Sequence, residues 1–223
     1  MTLFFRLEVT LQDSDPKVWR RLALQAEARL GDLQAAIQDL GWAGHGGWEM
    51  ISGCGRFLAG FDPEAQVLPG PEDERPLAEV LRRSGDHLLY VYDLDDRFVH
   101  EVRHEGMMPG PSTSWRFLFD GAGSFPPEGC GGARGHRRLI RSWLRGRSRG
   151  EASPAELGGW RPDGFDLERE RTRWDLDLEP FAFRTAWDRE AAGSWPVQAL
   201  RRRRRRPLAV GRSRELDWSD RLE

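Results

Sequence analysis

The sequence predicts an α+β fold: a mixed or antiparallel sheet built from hairpins, packed by two or three helices and followed by a basic, disordered C-terminal tail. Three observations predict it. Period-two alternation occurs near the start and again around residue 90, a helical period lies between them, and the last thirty residues have no periodic apolar pattern. With 223 residues, 39% of them hydrophobic and 10% aromatic, the chain can fill a core. The expected organisation is an α+β domain over residues 1–190 and an arginine-rich tail over 191–223.

The elements follow in order. Phe5, Leu7, Val9 and Leu11 alternate with Arg6, Glu8 and Thr10, the period of a half-buried strand. Asp13 to Pro16 breaks the pattern, and residues 18–25 resume it as the second arm of a hairpin. Leu30, Leu33, Ala36, Ile37 and Leu40 then fall at helical spacing, with Gly41 placed as a C-terminal cap. Two short strands are expected at 48–51 and 56–59. A proline-punctuated acidic loop over 69–76 leads into a short helix through Leu77, Val80 and Leu81.

Residues 87–94 are strongly β-forming, Asp95 and Asp96 make a turn, and 97–105 return antiparallel, with Phe98, His100 and Val102 on one face. The stretch 106–135 is dense in glycine and proline and reads as a long structured loop. Beyond it Leu139, Ile140, Trp143 and Leu144 form an apolar helical stripe, with Arg137, Arg138, Arg141 and Arg145 on the opposite side. A linker is expected over 148–154 and a further helix around 167–174.

Three separated segments carry a family resemblance: Val18-Trp19-Arg20-Arg21, the hairpin running from Tyr90 through Asp93 and His100 to Val102, and Phe125-Pro-Pro-Glu-Gly-Cys130-Gly-Gly132. In that order around the first helix they resemble the Ri-plasmid ORF-three-like family, also known as transposon-passenger TnpR-type proteins. Trp160 and Gly164-Phe165-Asp166 extend the likeness, which covers about residues 1–178. The resemblance implies an α+β fold associated with mobile elements and no established enzymatic activity. Where the family commonly carries closely spaced histidines after the first helix, this chain keeps only His45.

Charge narrows the function classes. The chain totals 34 basic and 36 acidic residues, but residues 1–120 sum to −8, 121–150 to +6, 151–195 to −5 and 196–223 to +5. Lys17 is the only lysine, so the positive charge is arginine, whose planar fork suits phosphate and carboxylate alike. The basic segments are the predicted helix, with Arg134, Arg137, Arg138, Arg141 and Arg145, and the run Arg201, Arg202, Arg203, Arg204, Arg205 and Arg206. Clustered arginines predict sequence-independent, salt-sensitive contact with nucleic acid or with an acidic partner. The first reading is therefore a mobile-element-associated binding protein rather than an enzyme, with no cofactor and an open oligomeric state.

The alternative is a metal- or cysteine-dependent hydrolase using His100, Cys130 and a carboxylate, Asp93 or Glu128. Cys130 precedes a basic helix, where a thiol is expected to lose its proton more easily, and His136 is the nearest base. His45, His100 and Cys130 are the candidate metal ligands. His100 and His104 lie about 13 Å apart on a strand and cannot share one ion. Gly129-x-Gly131-Gly132 before a helix has the character of an anion cradle, outside standard phosphate-loop spacing. Two cysteines point to a reducing cytoplasm, and no run approaches the roughly 20 apolar residues of a membrane span.

Overall fold

The first strand is the longest alternating segment of the N-terminal half, and it organises the sheet. In a computed structural model that describes residues 1–42, 47–59, 75–148 and 159–174, β1 (Thr2–Leu11) pairs antiparallel with β2 (Trp19–Gln25) on one side and β6 (Phe98–Gly110) on the other. Outside these lie β7 (Arg116–Ala122) beyond β2, and β5 (His87–Tyr92), β3 (Trp48–Ser52) and β4 (Gly55–Ala59) beyond β6. The order is β4-β3-β5-β6-β1-β2-β7, with every neighbouring pair antiparallel. The α+β class is as expected, with an antiparallel sheet. His45 and the arginine-rich tail lie outside the described residues.

Alternation assigns the two faces. Phe5, Leu7, Val9 and Leu11 of β1 are buried in the core with Leu22 and Leu24 of β2, and α1 (Leu30–Asp39) covers them with Leu30, Leu33, Ala36 and Ile37. Burial of each large aliphatic side chain stabilises by about 1.5–3 kcal/mol. The helix starts where Asp32 Oδ2 accepts a hydrogen bond from the Arg29 amide at 2.8 Å. Gly41 follows the helix as expected but does not adopt a left-handed conformation. A Cβ there would approach Phe125 Cδ2 at 2.6 Å, so the position needs a glycine to admit an aromatic ring. A short helix, α2 (Leu77–Val80), buries Leu77 and Val80 in the same core.

The other face carries an ionic ladder across β6, β1 and β2. Arg21 donates to Glu105 at 2.8 Å and to Glu8 at 2.9 Å, Lys17 pairs with Glu8, and Arg103 pairs with Glu101.

The stretch 106–135 departs from the expected loop. Its first half is sheet: β6 runs on to Gly110, and β7 returns along β2. Gly106 sits at a register shift in the β1–β6 pairing with φ +135°, so glycine here marks a bulge inside a strand. Two further helices complete the fold, α3 (Gly132–Ser148) and α4 (Leu167–Trp174). β7 is an edge strand, and α4 blocks it: Arg171 donates from Nε to the Leu118 carbonyl at 2.9 Å and from Nη2 to the Phe119 carbonyl at 2.8 Å. Carbonyls engaged in this way cannot template another chain.

Candidate functional site

The resemblance-bearing residues meet at one end of the sheet, where the β5–β6 turn, the loop over 123–131 and the start of α3 come together. His100 points into the core, fully buried, with Nδ1 3.3 Å from the Tyr90 carbonyl oxygen. Its ring lies 5.9 Å from Trp42, 5.6 Å from Tyr90 and 5.8 Å from Phe125. Burial among these rings lowers its pKa to about 4, so the imidazole is neutral near pH 7. His104, on the same face of β6, is buried with its ring edge-on to Phe5.

The candidate catalytic residues each have separate bonding arrangements. Glu128 accepts a hydrogen bond from the Tyr92 hydroxyl at 2.7 Å. Asp93 is a turn former: at φ +57° its Oδ1 accepts from the amides of Asp95 and Asp96. Cys130 is half-buried, with Sγ 3.8 Å from the Gly132 carbonyl oxygen. Its thiol is pushed up to about 11, chiefly by burial and then by Asp96, the reverse of the shift expected at a helix start. The cause is visible. The Gly131 amide donates to Asp96 Oδ2 at 3.0 Å, so the chain's own carboxylate occupies the glycine cradle and stands beside the sulfur.

His136, the base nearest in sequence, is buried edge-on to Trp160, and burial lowers its pKa to about 4. Among the described residues no three His, Cys, Asp or Glu side chains are grouped to hold a metal ion.

Glycine at this junction answers to packing. A Cβ on Gly135 would lie 1.6 Å from the Cys130 carbonyl oxygen, and one on Gly132, at φ +62°, would lie 2.2 Å from that of Asp96. The loop clasps the turn to the helix. Trp160 reinforces the clasp by donating from Nε1 to the Phe125 carbonyl at 2.7 Å.

Sequence reasoning missed Arg20. Only 2% exposed, it lies between Phe165 at 3.9 Å and Phe125 at 4.7 Å, and Nη1 donates to the carbonyls of Trp19 and Ala122. Burial pulls its pKa down, with Glu170 partly offsetting the effect. The signal was present: Arg20 is in phase with Leu22 and Leu24 on an alternating strand, which forces a cation inward. Arg21, one residue on, faces the ionic ladder.

The basic helix presents a cluster of predicted site residues at the surface. α3 buries Gly132, Gly135, His136 and Ile140, whereas Leu139 and Trp143 are half-buried and Leu144 is 53% exposed. The seat is thus rotated from the expected apolar stripe, because glycines at 132 and 135 permit close approach where no side chain signals it. Opposite it, Arg134, Arg138, Arg141 and Arg145 fall within an arc of about 60° over about 16 Å of helix, with Arg137 beside them. All five are exposed. None makes an ion pair among the described residues, whereas Arg147 of the same helix reaches Asp163 at 3.7 Å.

Known proteins resemble this chain in sequence and in fold. A crystal structure of MM3350, a protein of unknown function from Methanosarcina mazei Go1, shares the fold with a TM-score of 0.59 at 21% identity, covering 76% of this chain and 98% of that one. The uncharacterised protein y4hQ of Sinorhizobium fredii (strain NBRC 101917 / NGR234) is 30% identical over 138 residues, 60% of this chain and 70% of its own. The family model described as plasmid pRiA4b ORF-3-like protein matches residues 4–171, from β1 into α4. On that match the chain belongs to the plasmid pRiA4b ORF-3-like family.

Proposed function

We propose that this is a non-enzymatic, mobile-element-associated binding protein of the cytoplasm that contacts nucleic acid phosphates through the arginine stripe of α3. One observation carries the reading: five exposed arginines share a helix face and make no ion pair among the described residues, in a chain that pairs Arg21 and Arg103 of its sheet with carboxylates. Unpaired, parallel arginines on a rigid helix fit a line of phosphates. The tail arginines 201–206 add charge to the same task, and an acidic protein surface is the competing partner. The link to mobile elements rests on the resemblance to transposon-passenger proteins and on the plasmid in the family's description.

A hydrolase using His100, Cys130 and Asp93 or Glu128 draws no support from the geometry. The imidazole is enclosed by aromatic rings, the thiol is held protonated, and each carboxylate serves a turn or a tyrosine. Among the described residues no helix is long and apolar enough to cross a bilayer.

The test is fluorescence anisotropy of labelled single- and double-stranded DNA and RNA across a salt series. It uses the full chain, a chain ending at Pro196, and a full chain with Arg134, Arg138, Arg141 and Arg145 changed to Gln. Removing four phosphate contacts is expected to flatten the log–log salt slope on duplex by about 3–4 and to weaken binding by about 10³-fold near 0.1 M salt. Loss on tail truncation alone would move the interface to the tail, and no binding at low salt would leave the acidic-partner reading.

A further inference from the structure

A cavity of about 350 Å³ lies between the last turn of α1, the start of β7 and the end of α4, lined among others by Gln38, Asp39, Trp42, Arg116, Arg173 and Trp174. Its size is at the lower end of small-molecule sites, which run from about 300 to 1,000 Å³. The inventory of polar atoms is one-sided. The carbonyls of Ile37, Gln38 and Asp39 at the end of α1 are engaged, by the amides of Leu40, Gly41 and Trp42 and by Arg173 Nη2 at 2.7 Å. Arg116 bonds the Asp39 carboxylate and the Trp174 carbonyl oxygen, and Arg173 bonds Glu170. Donors remain: Trp42 and Trp174 are each only 5% exposed, and neither buried indole Nε1 has a hydrogen-bond partner among the described residues. A buried N–H without an acceptor is costly and uncommon.

Charge points the same way. Among the described lining residues two guanidiniums, Arg116 and Arg173, stand against one carboxylate, Asp39, with Glu170 pairing Arg173 from outside the lining. The two tryptophans supply the flat, apolar part of a lining that is otherwise polar: the Trp42 ring is braced by Tyr92 at 4.8 Å and Phe98 at 4.5 Å, and Arg116 stacks on the Trp174 ring at 4.6 Å.

We propose that this cavity binds a small, flat organic anion, its carboxylate taken by the remaining arginine and indole donors and its ring by the two tryptophans. The site is independent of the α3 stripe and needs no nucleic acid.

The test uses the ¹⁵N-labelled full chain and follows the assigned indole N–H resonances of Trp42 and Trp174 during titration with benzoate, with neutral isosteric benzamide, and with acetate. Benzoate is expected to move both resonances saturably with a Kd of about 1 mM or tighter, the range open to so few atoms. Benzamide should bind about tenfold more weakly for want of charge, and acetate more weakly still for want of a ring. Arg173→Gln, at a half-exposed side chain, should weaken benzoate by about fivefold. Equal affinity for benzoate and benzamide would overturn the proposal, as would equal affinity for acetate or unmoved resonances at saturating benzoate. The wild-type comparison decides the matter whatever the variant does to the fold.

Discussion

The arginines of the sheet and those of α3 share a side chain and differ in company. Arg21, 11% exposed at its side chain, lies between Glu8 and Glu105 and so ties β2 to β1 and β6, while Arg103 is neutralised by Glu101 within β6. On α3 five exposed arginines make no ion pair among the described residues. The same division separates the sealed interior, where His100, Tyr92 and Arg20 have rings, a carboxylate and carbonyls around them, from the exposed arginine face of α3. Polar groups inside and on the sheet should therefore govern stability, and those on α3 should govern binding.

The largest expected effect tests the sealed interior. The pKa of His100, about 4 when folded against an ordinary 6.5, means that the unfolded chain takes up its proton first as pH falls. The stability it allows is complete above about pH 6.5 and is lost progressively toward pH 4, by about 3 kcal/mol for this one group. His136 acts in the same direction. Urea unfolding from pH 7 to 4.5 should show the decline, and His100→Gln should remove its share. A flat profile would mean that water reaches the ring and that the interior is not sealed.

Next in size is the sheet's ionic ladder. Arg21→Gln leaves Glu8 and Glu105 facing each other half-buried, with Lys17 on one of them, and should cost about 2–3 kcal/mol by urea unfolding while leaving nucleic-acid affinity unchanged. Lost affinity at full stability would erase the distinction between the two sets of arginines.

These contrasts were unevenly legible in the sequence. Alternation in β1 and β2, helical spacing in α1 and the β5–β6 hairpin are local patterns, and each element formed where its residues pointed. β7 was hidden because glycine and proline, read locally, signal a loop, whereas β2 supplies a ready edge for residues 116–122 and Gly106 serves as a bulge. The fate of Cys130 was equally out of reach. Whether a glycine cradle binds a foreign anion depends on Asp96, 35 residues away, which fills it. The arginine stripe was readable because exposure of charge on an amphipathic helix is a local property, but the absence of counter-charges is not. Arg20 was readable and overlooked, since its phase on β2 already placed it inward.

A third variant places a counter-charge within the arginine stripe of α3. Arg141→Glu places a carboxylate four residues after Arg137, three after Arg138 and four before Arg145. It should raise stability by up to about 1 kcal/mol through helix pairs of a few tenths each and relief of like-charge repulsion. The same change should weaken nucleic-acid binding by more than removal of one charge, because the new anion also repels phosphate. A helix that gains stability while the protein loses affinity is the signature of charge kept unpaired for a partner. Unchanged affinity would return these arginines to simple solvated surface.

The smallest effect probes the orientation of α3. Leu144 belongs to the apolar stripe expected from the sequence, yet it is 53% exposed, and the buried line runs through Gly132, His136 and Ile140 instead. Leu144→Gln therefore removes little buried area and should change stability by no more than about 0.5 kcal/mol. Ile140→Ala, at a buried position on the same helix, should cost about 2–4 kcal/mol. Were Leu144→Gln to cost as much as Ile140→Ala, the helix would have to be turned toward the expected stripe. That rotation would leave the row of guanidiniums intact, since they are fixed on one helix, but it would turn the edge that carries Arg137, on the Leu144 side, toward the body of the protein.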